Sequence, residues 1–104
     1  SSGNLKRLTQ NSEKWANYGK LVGQVNSTRG FGDFLQYHFL ATGKVDVIVE
    51  SDVNILDIAA LSIIVNEAGG KMTALDGKAI DLDVTTILAT TPKLHQVVLD
   101  ILQF

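Results

Sequence analysis

The chain has 104 residues, 45% hydrophobic and 19% charged, with a net charge of −2 and no cysteine. That length and apolar share suffice for one small cored domain, and the balance of charge gives no electrostatic case for nucleic acid or an anionic membrane as a partner. Disulfides and thiolate metal sites are excluded, and with no run of about 18 apolar residues and no signal peptide the default setting is a reducing cytoplasm.

The chain opens Ser1-Ser2-Gly3 without Met, which reads as an excised or processed chain. Ser1 to Gln10 is polar and reads as a loop or a strand end. Ser12 to Gly23 is expected to be helical, capped by Asn11 or Ser12, with Trp15, Tyr18 (or Gly19) and Val22 on one side. Gly19 and Gly23 weaken this helix, and Trp15 reads as a core or interlayer residue rather than a ligand platform. Val25 to Thr28 reads as a short strand. Gly30-Phe31-Gly32-Asp33 then opens a helix that runs through Leu40 and closes at Gly43, with Phe34, Tyr37, His38 and Ala41 facing the core. Within that apolar helix His38 reads as a hydrogen-bonded core histidine. Gly32 lets the backbone approach a ligand, and Asp33 can cap the helix or accept from a cationic group. Taken alone, this Gly-x-Gly-Asp reads first as a capped helix start.

Val45 to Val49 is strand-like, with Glu50 at its C-terminal end, where ligands bind in open α/β sheets. A polar loop of Ser51, Asp52 and Asn54 leads into a helix of about four turns. Ile55, Ile58, Ala59, Ser62 and Val65 recur at helical spacing, and Leu61, Ile63 and Ile64 widen the apolar surface. A helix so apolar on most sides is expected to lie buried between layers, and Gly69-Gly70 ends it. Asp57, in its first turn, has two readings: a carboxylate favoured by the positive end of the helix dipole and helping to cap it, or a ligand for a hard cation such as Mg²⁺.

Lys71 to Leu75, an Asp76-Gly77 turn and Lys78 to Leu82 read as a hairpin. Asp81 and Asp83 read as solvated. Thr85 to Ala89 is a further strand. Thr90 or Thr91 caps a last helix with Pro92 at its first position, where Leu94, Val98, Ile101 and Leu102 face the sheet and His95 the surface. Strands alternating with helices give an α/β layered domain, a mostly parallel sheet with flanking helices.

Two segments carry a resemblance to a known family. Asp57-Ile58-Ala59-Ala60 followed by Ile64-Val65-Asn66-Glu67-Ala68-Gly69-Gly70 resembles the C-terminal signature of the inositol monophosphatase family of Mg²⁺-dependent sugar-phosphate phosphatases. That signature runs Trp-Asp-x-Ala-(Ala/Gly), an apolar stretch, then Glu-Ala-Gly-Gly; here Leu56 stands in place of the Trp. Upstream, Thr28-Arg29-Gly30-Phe31-Gly32-Asp33 and Leu40-Ala41-Thr42-Gly43-Lys44-Val45-Asp46 are similar to the same family. The Arg-x-x-Gly-Asp pattern most resembles its histidinol-phosphatase branch. The similarity runs from about Ser1 to Leu102, nearly the whole chain.

The resemblance implies the C-terminal half of an αβαβα sandwich, Mg²⁺ as cofactor, and hydrolysis of histidinol phosphate or an inositol phosphate by metal-activated water. It implies Asp57 as a metal ligand and Gly32, Asp33 and Glu50 as substrate-binding residues, with no catalytic residue in this stretch. The family's paired glutamates and Asp-Pro-x-Asp-Gly-Thr motif do not occur here. The N-terminal half of the same enzyme is therefore an expected partner beside the small phosphorylated substrate, a homodimer is left open, and the 104-residue chain alone is expected to be inactive. Two other readings stand beside this one: a non-catalytic binding or assembly module that kept the fold, and a plain α/β structural domain, which a buried, lysine-paired Asp57 would favour.

Overall fold

The structure is a computed structural model that describes residues 1–32 and 34–104. Its strands are β1 (Ser2–Gly3), β2 (Val47–Ser51), β3 (Lys71–Thr73) and β4 (Thr86–Thr90). Its α-helices are α1 (Ser12–Val22), α2 (Leu35–Ala41), α3 (Ile55–Glu67) and α4 (Pro92–Leu102), with a 3₁₀ turn over Lys6–Gln10. The four strands form one sheet in the order β1-β2-β4-β3. The α/β architecture is as expected; the mostly parallel sheet needs correction. β1 pairs with β2 in parallel, Ser2 opposite Val49, but β2 with β4 and β3 with β4 are antiparallel. β1, β2 and β3 do point the same way, and β2–α3–β3 is a helical crossover. The last strand enters between its two ends and converts what looked like a parallel neighbour into two antiparallel ones.

Side chains alternate across the strands, so the sheet builds two cores. Ile48, Ile87, Ala89 and Met72 pack against Tyr37 and Leu40 of α2 and Ile58, Leu61 and Val65 of α3. On the opposite side Val49 and Leu88 pack against Leu8, Leu21 of α1, and Val98 and Leu102 of α4. Each fully buried aliphatic side chain contributes about 1.5–3 kcal/mol. Glu50 is the next inward position after Ile48 on β2 and sits opposite Ile87, so it lies on the α2–α3 side.

The helix ends follow the sequence closely. Asn11 caps α1, its side-chain oxygen accepting from the Lys14 N–H at 3.0 Å. Asn54 caps α3 in the same way, accepting from the Asp57 N–H at 3.2 Å. At the other end of α3 the Gly70 N–H returns to the Val65 carbonyl at 2.9 Å. Pro92 opens α4 behind Thr91, whose side chain makes no cap bond.

Several inward and outward assignments differ. α1 buries Asn17 and Leu21 rather than Trp15; Trp15 lies on the surface, stacked on Tyr18 with ring centroids 5.6 Å apart. Asn17 is held inside by donating to the Leu102 carbonyl at 2.9 Å. α2 starts later than expected and turns Gln36, Tyr37 and Leu40 inward, leaving Phe34 and His38 exposed. His95, expected at the surface, is fully buried: its ring nitrogens lie 2.8 Å from the Thr73 hydroxyl and 2.9 Å from that of Thr90. Residues 25–28 form no strand, and the second arm expected over 78–82 forms none either, because β3 takes β4 as its partner. The turn itself is present, with Ala74 donating to the Lys78 carbonyl at 2.9 Å. Finally, α3 is covered on one side only. Ile58, Leu61 and Val65 are buried, whereas Leu56 is 88% and Ile63 64% exposed.

Candidate functional site

The polar groups that can meet a ligand gather where β2 ends and α3 begins. Glu50 comes from the penultimate residue of β2. It is buried, and its Oε2 accepts from two neighbours of α2: the Gln36 side-chain amide and the Tyr37 hydroxyl, the latter at 2.8 Å. Gln36 is oriented in turn, its Oε1 accepting from the Ser1 hydroxyl at 2.8 Å. Tyr37 has its pKa pushed well above the ordinary phenol value, first by burial and then by the Glu50 charge and hydrogen bond. The phenol therefore keeps its proton and acts as a donor.

Past β2, Ser51 anchors the strand end by donating to the Asn4 carbonyl, and Asp52 forms an ion pair with Arg7, Nε to Oδ1 2.6 Å. The chain then enters α3, where Asp57 occupies the first turn. Asp57 is exposed, and among the described residues its carboxylate has no hydrogen-bond or ion-pair partner. The N-terminal cap, one of its two readings, is filled by Asn54. What remains for Asp57 is an unengaged pair of hard oxygens at the positive end of a helix, not a buried, lysine-paired group. That donor type suits Mg²⁺, which keeps most of its waters and takes one or two carboxylates. Among the described residues no group of three or more acidic or histidine side chains forms a metal cluster, so Asp57 offers a single ligand.

Gly32 lies in the loop before α2 with φ +66°, and a Cβ placed there would meet nothing within 4 Å. It is needed for its backbone angle, not for space, and leaves that part of the loop open. The loop is tied down by the Phe31 N–H donating to the Ser1 hydroxyl at 3.3 Å and by an edge-to-face contact between Phe31 and Phe39, centroids 4.9 Å apart. Asp33 lies outside the described residues. The sequence reading missed Gln36 and Tyr37 as partners of Glu50. Gln36 stands four residues before Leu40, whose burial puts both on the inward face of α2.

A mixed sheet with helices on both faces, and acids where a strand end meets a helix start, make this a layered α/β domain. The chain belongs to the inositol monophosphatase family, whose sequence model matches residues 2–104. It is 49% identical over 59 residues to a histidinol-phosphatase of Mycobacterium tuberculosis, covering 57% of this chain and 23% of that protein. A histidinol-phosphatase of Streptomyces coelicolor is 43% identical over 70 residues, covering 62% and 26%. Among solved structures, an inositol monophosphatase from Anabaena superposes with a TM-score of 0.82 at 26% identity, covering 98% of this chain and 41% of that one. The chain thus spans about a quarter of the length of these two curated relatives.

Proposed function

We propose that this chain is the C-terminal part, a single α/β domain over residues 1–104, of a Mg²⁺-dependent phosphate monoester phosphatase acting on histidinol phosphate or an inositol phosphate. The observation that carries the reading is Asp57: an exposed carboxylate, unpartnered among the described residues, at a helix start whose cap is already filled by Asn54. The names of the relatives support the reaction class. The apolar outer face of α3, with Leu56 and Ile63 exposed, supports a remaining half that rests upon it.

When bound, Mg²⁺ supplies an activated water and neutralises charge developing on the phosphoryl oxygens. Asp57 holds one coordination position from the first turn of α3. Glu50, on the same side of the sheet, accepts from the hydroxyls of a polyol or pairs with the ammonium of an amino alcohol. Gly32 allows the loop backbone to approach the same group, and the family resemblance carries a substrate-binding role to Asp33, the next residue in sequence.

The test is Asp57→Asn in the intact enzyme. Asparagine keeps the size and one oxygen but removes the charge that the cation needs. The expected result is a loss of turnover on the order of a thousandfold, several kcal/mol of transition-state stabilisation, with unfolding unchanged. A variant that melts like the parent and turns over normally at ordinary Mg²⁺ removes Asp57 from the site.

A further inference from the structure

Resting on the substrate-binding role proposed for Glu50, we infer that Gln36 and Tyr37 are positioning residues that fix the Glu50 carboxylate and thereby set discrimination among the non-phosphate parts of substrates. Both donors converge on one oxygen, Oε2. The carboxylate cannot rotate about its last bond without breaking both contacts. Neither donor can exchange its role: an amide flip of Gln36 would set its oxygen against Glu50 Oε2, and the Tyr37 phenol stays protonated.

The backbone of β1 closes a further side. A Cβ at Gly3 of β1 would stand 3.3 Å from Glu50 Cδ and 3.4 Å from Gln36 Nε2. The cluster is therefore packed from the helix and from the neighbouring strand. Glu50 keeps 8% exposure against 0% for Gln36 and 1% for Tyr37, so it is the member that a ligand reaches. Structure alone does not call for this arrangement. A buried charge with its donors stabilises a fold no better than apolar residues of the same volume, and the flanking inward positions Ile48 and Ile87 are apolar. What the three polar side chains supply is a carboxylate with a defined direction, which is what selection among hydroxyl and ammonium groups requires.

The experiment uses the intact phosphatase and steady-state kinetics with histidinol phosphate and inositol phosphate, with inorganic phosphate as a competitive probe. Tyr37→Phe, which deletes one oxygen, is expected to raise KM for the preferred ester about tenfold, the effect of losing one hydrogen bond to a charged group. Turnover and inhibition by inorganic phosphate, which lacks the non-phosphate part, should stay within about twofold, whereas a general packing defect would move both. In a Glu50→Gln background the same change should add less than about twofold, since contacting residues are not additive.

If Glu50→Gln leaves KM unchanged, the substrate-binding reading of Glu50 fails. If Glu50→Gln raises KM and Tyr37→Phe does not, or if the two effects multiply in full, the positioning role fails. Should Tyr37→Phe not fold, Gly3→Ala deletes no donor and presses on the Glu50 carboxylate and the Gln36 amide that holds it. A rise in KM without a change in phosphate inhibition then supports the inference, and an unchanged KM overturns it.

Discussion

Replacing Gly70 by alanine separates two reasons for the Gly-Gly that ends α3. Gly69 has φ +90°, and a Cβ there would meet nothing within 4 Å. Its replacement costs backbone strain alone, about 1–2 kcal/mol. At Gly70 no left-handed angle is involved; the obstacle is space. A Cβ would lie 2.8 Å from Val65 Cγ1, 3.2 Å from the Val65 carbonyl and 3.3 Å from the Thr90 carbonyl. Carbon atoms in contact sit about 3.5–4.0 Å apart. Val65 has no exposed surface and belongs to the α2–α3 core, and its carbonyl holds the Gly70 N–H. Thr90 is the last residue of the central strand β4. None of the three can withdraw freely, so the cost falls toward the upper end of the about 1–3 kcal/mol known for overpacking. Equilibrium unfolding in urea gives this as a shift in midpoint at constant slope. The discriminating step is a cycle with Val65→Ala, which removes the closest atom. It should recover part of the Gly70→Ala loss and none of the Gly69→Ala loss. A Gly70→Ala variant within about 0.5 kcal/mol of the parent, or full additivity with Val65→Ala, would refute the steric reasoning.

Two further outcomes follow from the structure. Burial, and then the Lys71 charge, lower the pKa of His95 below its ordinary 6.5. The unfolded chain thus takes up a proton that the native one refuses, and the His95 contribution, present above about pH 6.5, is lost as pH falls toward the folded pKa. Urea midpoints between about pH 8 and 5 should fall more steeply for the parent than for His95→Gln, and parallel profiles would contradict it. Asn54→Ala should cost about 1 kcal/mol of stability and Asn54→Asp little, since aspartate also caps well. Both should leave the Mg²⁺ dependence of activity in place, and a changed Mg²⁺ requirement would mean that capping and metal binding share one group.

Much of this fold was legible because its helix ends are chemically explicit. Asn11 and Pro92 start two helices where side chain or ring predicts, and each of these signals acts within a turn of the backbone; at α3 the cap is Asn54 from the polar loop, not Asp57. Inward faces were harder in short or mixed helices. α2 has only seven residues, and a start displaced past Phe34 exchanges Phe34 and His38 for Gln36 and Leu40. His95 falls at the spacing of the buried Val98 and Leu102, yet its polarity argued for solvent. Only the hydroxyls of Thr73 and Thr90, on two separate strands, make its burial tolerable. The pairing of β4 was beyond local reading, since an apolar strand of five residues carries no mark of its neighbour. For the site, Glu50 and Asp57 stood out as acids in apolar surroundings. The donors that hold Glu50 became visible only once α2 lay across β2.

The central place of β4 also has a meaning for the order of events in folding. Val47 pairs with Thr90 and Ser51 with Thr86, while Lys71 takes the other edge of the same strand. During synthesis β2 and β3 are complete well before 86–90 emerges, and until then β2 has one open edge and β3 no strand partner. The helices can form early from local contacts, but the sheet closes late through contacts far apart in sequence. Such closure is slow, on the order of milliseconds to seconds, and the waiting edges are the species most exposed to pairing with another chain. Substitutions that weaken the 86–90 strand should thus show themselves first in the yield of soluble protein rather than in the stability of what has already folded.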